Sequence, residues 1–181
     1  NIYKNEIGKN RVSQIIRKNK SLFTALMLNE EGIINLELFQ GWLFLTKIKI
    51  HSSVTKIKKK TFKKCYSLIK VIIPSSVIEI DESAFEECPN LREIIFEKNS
   101  GLKTINSDAF KDCNSLEEIN IPSSVESIES HAFNECPKIN KVTIDIYHTN
   151  FEIDSFQDCN SLKYLINSQS KGNIFITSQM T

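Results

Sequence analysis

The chain has 181 residues, 40% apolar and 25% charged, so it can bury a core and carries an ordinary charge content. Its formal net charge of +1 gives no reason to expect a polyanionic partner. No run of 18 apolar residues occurs, which excludes a membrane-spanning helix from this sequence.

The chain opens at Asn1-Ile2-Tyr3-Lys4 without an initiator Met or an apolar signal-peptide core, and it closes at Met180-Thr181 partway through a repeat. Both ends read as cut, so a fragment of a longer protein is expected. Residues 1–11 are polar and unpatterned. Val12, Ile15, Ile16, Leu22, Phe23, Leu26 and Met27 follow helical spacing around a polar gap, and Asn29-Glu30-Glu31-Gly32 ends the pattern. Arg11, Arg17, Lys18 and Lys20 would suit a membrane-surface helix. A cap over the apolar end of a stacked-repeat body explains the same segment without a membrane. Residues 1–41 are therefore expected to form a helical cap and 42–181 the repeat body, with Trp42 packed in a degenerate first repeat. Asn19-Lys20-Ser21 matches a glycosylation sequon, as chance matches often do.

From Leu45 onward one unit recurs. Phe-x-x-Cys appears at Phe62/Cys65, Phe85/Cys88, Phe110/Cys113, Phe133/Cys136 and Phe156/Cys159, with successive phenylalanines 23, 25, 23 and 23 residues apart. A second apolar set stays in register with it: Leu45/Ile48/Ile50, Leu68/Val71/Ile73, Leu91/Ile94/Phe96, Leu116/Ile119/Ile121, Ile139/Val142/Ile144 and Leu162/Leu165. Alternation at its last two places predicts a strand with one buried face, which Pro74 and Pro122 terminate. A third set, Val54/Ile57, Val77/Ile80, Leu102/Ile105, Val125/Ile128 and Phe151/Ile153, predicts a second short strand. Phe and Cys then fall at i and i+3, as on one helical turn. A period in the twenties with Leu-x-x-Ile-x-Ile inside it is the mark of a leucine-rich-repeat solenoid. The expected fold is an α/β repeat protein of about 23-residue units, strand-rich with short helical turns. Two segments depart from the period. Glu97–Gly101 adds two residues and predicts a bulging loop, and Asp145–Asn150 replaces Pro-Ser-Ser. Ile174 and Ile176 are expected in the second strand of a last unit.

Leu116-Glu-Glu-Ile-Asn-Ile-Pro-Ser-Ser-Val-Glu-Ser-Ile128 and Ala132-Phe-Asn-Glu-Cys-Pro137 resemble the BspA-like, Treponema-type class of leucine-rich repeats, over about residues 42–166. Members of that family look like surface or secreted proteins of bacteria and parasitic protists. The resemblance implies adhesion to an extracellular-matrix or host-cell protein, and it offers no catalytic residue to carry over.

Five cysteines on one repeat position read as a ladder of buried, reduced thiols, since an odd number cannot pair completely within one chain. Ligands stacked along one edge do not converge on a metal, no Gly-rich phosphate loop occurs, and His51, His131 and His148 occupy three different repeat positions. No catalytic, metal or cofactor site is therefore expected. The basic run Lys56–Lys64 is a candidate nucleic-acid or heparin patch. The repeat instead sets Lys58, Lys59 and Lys60 beside Asp81, Glu82 and Ser83, and Lys63/Lys64 beside Glu86/Glu87, where charges can pair between units. The candidate protein-binding surface is the exposed side of the first strand: Lys47, Lys49, Lys70, Ile72, Glu93, Ile95, Glu118, Asn120, Lys141, Thr143 and Tyr164. Ile72 and Ile95 read equally as a contact site and as β-branched residues favoured in strands. The sequence thus points to a non-catalytic protein-binding module, expected as an adhesion protein at the cell surface or secreted. The alternative is a cytoplasmic protein-interaction scaffold, and the third reading is a nucleic-acid or heparin binder.

Overall fold

The computed structural model describes residues 40, 41, 43 and 45–169, with the backbone alone of 173–175. Each repeat makes one rung with three sides. The first side supplies strands β1 (Lys47–Lys49), β3 (Lys70–Ile73), β5 (Glu93–Phe96), β7 (Glu118–Asn120), β9 (Lys141–Ile144) and β11 (Tyr164–Asn167). The second supplies β2 (Lys56–Ile57), β4 (Glu79–Ile80), β6 (Thr104–Ile105), β8 (Ser127–Ile128) and β10 (Asn150–Phe151). Strands of the second side pair in parallel without interruption from β2 to β10. β12 (Asn173–Phe175) does not continue that side. It turns back antiparallel along β11, with Leu165 opposite Ile174, which corrects the placement of Ile174.

The third side corrects the expected helical turns, because no helix occurs among the described residues. In the first four Phe-x-x-Cys segments two residues stand in the left-handed region, as Lys60 and Lys64, Ser83 and Glu87, or Asp108 and Asp112 do, and in the last Asp158 does. That backbone cannot continue a right-handed helix. Alternate N–H groups instead leave the rung. Phe62 donates to the Ala84 carbonyl at 2.8 Å and Lys64 to Glu86 at 2.9 Å, and the same bonds recur up the stack through Phe133 and Glu135. The intervening amides close i−3 turns, such as Cys65 to Phe62 at 3.2 Å. The helical cap expected over 1–41 lies outside the described residues, except for Gln40 and Gly41, which form a turn. Gly41, at φ 74°, donates to Lys63 at 2.8 Å in the same place as Lys64 one rung later.

Between the three sides runs one continuous core. Phe62, Phe85, Phe110, Phe133 and Phe156 stack face to face at centroid spacings of 5.0–5.2 Å, close to the roughly 4.8 Å separation of neighbouring strands. The buried thiols line the same stack. Cys88, Cys113, Cys136 and Cys159 each donate to a phenylalanine carbonyl of the preceding rung, as Cys88 does to Phe62 at 3.1 Å and Cys136 to Phe110 at 3.2 Å. One expected core position is wrong. Ile153 is 83% exposed, and Phe151 sits opposite Ile128 in the second sheet, with Thr149 turned inward beside it. The segment Asp145–Asn150, which replaces an ordinary corner here, changes which side chain faces in.

The first side does not close into one sheet. β1, β3 and β5 form one block, β7, β9, β11 and β12 another, and β5 exchanges no ladder bonds with β7. The two-residue insertion follows β5 directly. It bulges with Asn99 at φ 57°, and the Gly101 amide binds the Ser75 carbonyl at 2.9 Å, so close that a Cβ on Gly101 would touch that oxygen. Ile94 and Phe96 are only half-buried beside this seam, whereas Val71, Ile73, Ile119 and Ile121 in equivalent places are buried.

Candidate functional site

The strand pleat turns the predicted binding residues outward in two rows. Lys47, Lys70 and Glu93 are register partners in one block, as are Glu118, Lys141 and Tyr164 in the other. The second row runs Lys49, Ile72, Ile95, and then Asn120, Thr143, Ile166. All eleven predicted residues therefore share one face. Ile72 and Ile95 lie directly opposite each other, half-buried by their neighbours.

Most charges on this face are matched within it, although Lys47 lies opposite Lys70. Lys70 meets Glu93 at 2.9 Å, Lys141 meets Glu118 at 2.9 Å and Lys49 reaches Glu97 at 3.3 Å. Four of the six lysines of the basic run are matched as well: Lys56 meets Glu79 and also Asp81, which the repeat had set beside Lys58, Lys59 meets Glu82, Lys63 meets Glu86, and Lys64 meets Glu87. Lys63 and Glu86 are the most enclosed pair, at 2.6 Å. Burial works to raise the Glu86 carboxyl, but the Lys63 ammonium outweighs it and leaves the group below its ordinary range. Burial likewise opposes the Lys63 charge, and Glu86 and Glu87 outweigh it to hold Lys63 above its ordinary value.

Chemistry has little to work with. Burial, the largest effect, pushes the Cys88 and Cys113 thiols well above their ordinary value and Cys159 up to about 12, so none is a ready thiolate. Ser130, His131 and Asp154 do meet, with the Ser130 hydroxyl 2.9 Å from His131 Nδ1. That hydroxyl donates to Asp154 Oδ2 at 2.8 Å and holds the carboxyl below its ordinary range, so its proton is committed to the acid rather than to a base. No group of three His, Cys, Asp or Glu side chains suits a metal among the described residues, and no helix long and apolar enough to cross a membrane occurs among them.

Two surface features escaped the sequence reading. Leu43, Tyr66 and Ile69 are exposed apolar residues at the start of the solenoid. The signal was available, because later rungs carry Pro89, Asn114 or Pro137 in place of Tyr66 and Arg92, Glu117 or Asn140 in place of Ile69. Glu117, Lys138, Asn140, Ser161, Lys163 and Tyr164 surround an open polar depression of about 420 Å³, formed by residues from three rungs that no single repeat announces.

Parallel strands stacked at a period of 23–25 residues around a phenylalanine and cysteine ladder define a leucine-rich-repeat solenoid. The BspA-type leucine-rich-repeat region matches residues 32–163 in 6 copies, and the chain belongs to that family. A leucine-rich cell surface protein from Faecalibacterium prausnitzii shares 30% identity at a TM-score of 0.63, over 68% of this chain and 32% of that one. A leucine-rich-repeat protein from T. pallidum shares 30% identity at a TM-score of 0.60, over 65% of this chain and 56% of that one. A third, from Bacteroides ovatus, shares the fold at 21% identity and a TM-score of 0.57, over 78% of this chain and 36% of that one. The chain thus spans about a third to about a half of these neighbours. No curated protein matches the sequence. The fold is a protein-interaction fold, generally without catalysis.

Proposed function

We propose that this chain is a non-catalytic protein-binding module of a surface-displayed or secreted protein, and that it adheres to a matrix or host-cell protein through the outward face of the first side. The observation that carries the reading is the register of that face, where Ile72 lies opposite Ile95 and ion pairs tie the surrounding rows. An apolar pair within a rigid polar frame is the arrangement of a binding hot spot and its rim. The cell surface protein among the structural neighbours supports the compartment.

The test is capture of extracellular-matrix proteins by the purified chain, in parallel with a lysate of the cells that make it, with Ile72→Asp/Ile95→Asp as the control. Matrix binding that the double variant loses supports adhesion through this face. Capture of internal partners alone would overturn it in favour of the intracellular scaffold.

A further inference from the structure

The corner that leads from the third side into the first alternates inward and outward along the last rungs. Leu116 and Ile139 are buried and Leu162 is half-buried, so Glu117, Lys138, Asn140, Ser161 and Lys163 beside them stand on the outside. Backbone bonds stack them. The Lys163 amide donates to the Asn140 carbonyl at 3.0 Å, and the Asn140 amide to the Glu117 carbonyl at 2.9 Å. Ser161 holds the repeat position of Lys138 one rung on. With Tyr164 these residues enclose the open depression of about 420 Å³.

The polar side chains here are not used by the fold. At the start of the solenoid the same corner ties rung to rung: the Ser67 hydroxyl donates to the Leu43 carbonyl, and the Asn90 side-chain amide donates to the Tyr66 carbonyl at 2.6 Å. Around the depression, by contrast, the side chains of Glu117, Lys138, Asn140, Ser161 and Lys163 make no hydrogen bond or ion pair with another described residue. Lys141, the next residue after Asn140, is already matched by Glu118 at 2.9 Å. Two ammonium groups, an amide, a hydroxyl and a carboxylate thus converge on one concavity with their bonding capacity open.

We propose that this depression binds an acidic sugar, a uronic or sialic acid residue carried on a glycan. The sugar carboxylate accepts charge-assisted bonds from Lys138 and Lys163. Ring hydroxyls donate to the Glu117 carboxylate and exchange hydrogen bonds with Asn140 and Ser161. Tyr164 adds an aromatic side chain to the wall. An acidic peptide side chain suits the site less well, because a carboxylate alone gives Glu117 no donor and brings a like charge beside it. The inference stands apart from the strand-face reading, since neither Ile72 nor Ile95 lines the depression.

The probes are the methyl glycosides of glucuronic acid and N-acetylneuraminic acid, titrated into the full isotope-labelled chain, with methyl glucoside and a Glu-rich peptide as controls. At least one acidic sugar is expected to shift the amides of residues 138–140 and 161–164 saturably, and added salt should weaken it. Methyl glucoside and the peptide should bind about tenfold more weakly or less. Lys138→Ala/Lys163→Ala should weaken the acidic sugar by about tenfold or more, as loss of charge-assisted bonds does. Glu117→Ala should weaken the sugar while leaving or improving the peptide. Lys138, Lys163 and Glu117 are exposed, so these variants remove no buried group, and an unchanged unfolding midpoint confirms that they fold. Ile72→Asp/Ile95→Asp should leave sugar binding intact even where it abolishes capture of a matrix protein. Equal binding of neutral and acidic sugars, shifts centred elsewhere, or full affinity in the double lysine variant would overturn the proposal. Preference for the Glu-rich peptide would overturn it in favour of a protein carboxylate.

Discussion

Replacing Phe110 by Ala removes the middle plate of the phenylalanine stack. The ring is fully buried, with Phe85 at 5.1 Å and 1° on one side and Phe133 at 5.2 Å and 6° on the other. Burying such a side chain is worth about 1.5–3 kcal/mol, and each ring pair adds about 0.5–1.5 kcal/mol. Together these bracket the roughly 3–5 kcal/mol measured when buried phenylalanines are truncated. Phe156 supplies the internal comparison. It stacks on one side only, at 5.1 Å from Phe133, and meets Phe151 edge-on at 6.4 Å, so Phe156→Ala should cost about 1 kcal/mol less. Urea unfolding followed by circular dichroism measures both. Because each rung touches only its neighbours, the Phe110 lesion should also broaden or split the transition by loosening one half of the stack from the other. A cost for Phe110→Ala below about 1 kcal/mol, or an equal cost at Phe156, would refute the view that the stack is the continuous spine of the core.

The thiols should be silent in the native state: a disulfide reagent at neutral pH should label none quickly and all five after unfolding, with Cys159, the most exposed at 8%, leading. Rapid labelling of every cysteine in the folded chain would disprove the buried ladder. Asp112→Gly should stabilise by about 0.5–1 kcal/mol, since it relieves the left-handed backbone at φ 60° and removes a carboxyl that burial and Glu135 push upward; a loss of stability would mean the turn tolerates the side chain without strain. The Lys63–Glu86 pair predicts a plateau in stability against pH. Glu86, lowered on folding, contributes above its unfolded value of about 4.3 and loses that contribution as the pH falls, while Lys63, raised on folding, contributes below about 10.4 and loses it as the pH rises. Glu86→Gln should flatten the acid limb of the unfolding midpoint; an unchanged limb would place the acid sensitivity elsewhere.

Much of the architecture was legible because one position carries one role in every rung. The strands of both sheets follow from alternation at Val71/Ile73 and from Val77/Ile80, and buried thiols follow from a repeated Phe-x-x-Cys. What failed was local. Phe and Cys at i and i+3 fit a helical turn, but side-chain spacing cannot reveal that Lys60 and Lys64 are left-handed or that the Phe62 amide leaves its rung for Ala84. Ile153 was misplaced because Asp145–Asn150 breaks the pattern: the polar Thr149, which hydropathy does not mark, turns inward, and Ile153 is left outside. The insertion after Phe96 was visible as a bulge. Its larger effect, parting β5 from β7, required knowing that the second sheet stays zipped behind it.

The charges do work that the core cannot. Every rung offers nearly the same apolar side chains, so hydrophobic packing alone would let one rung sit on another almost indifferently. Residues 45–70 carry lysines and no Asp or Glu, whereas Glu79, Asp81, Glu82, Glu86, Glu87 and Glu93 crowd the next rung. The resulting pairs, from Lys56–Glu79 to Lys70–Glu93, form only when those two rungs are neighbours in the native order. Each exposed pair is worth about 0.2–1 kcal/mol, too little to hold the fold yet enough in sum to discriminate against a slipped stack. The near-zero net charge conceals this local segregation, in which four of the six lysines of the basic run meet carboxylates of the next rung.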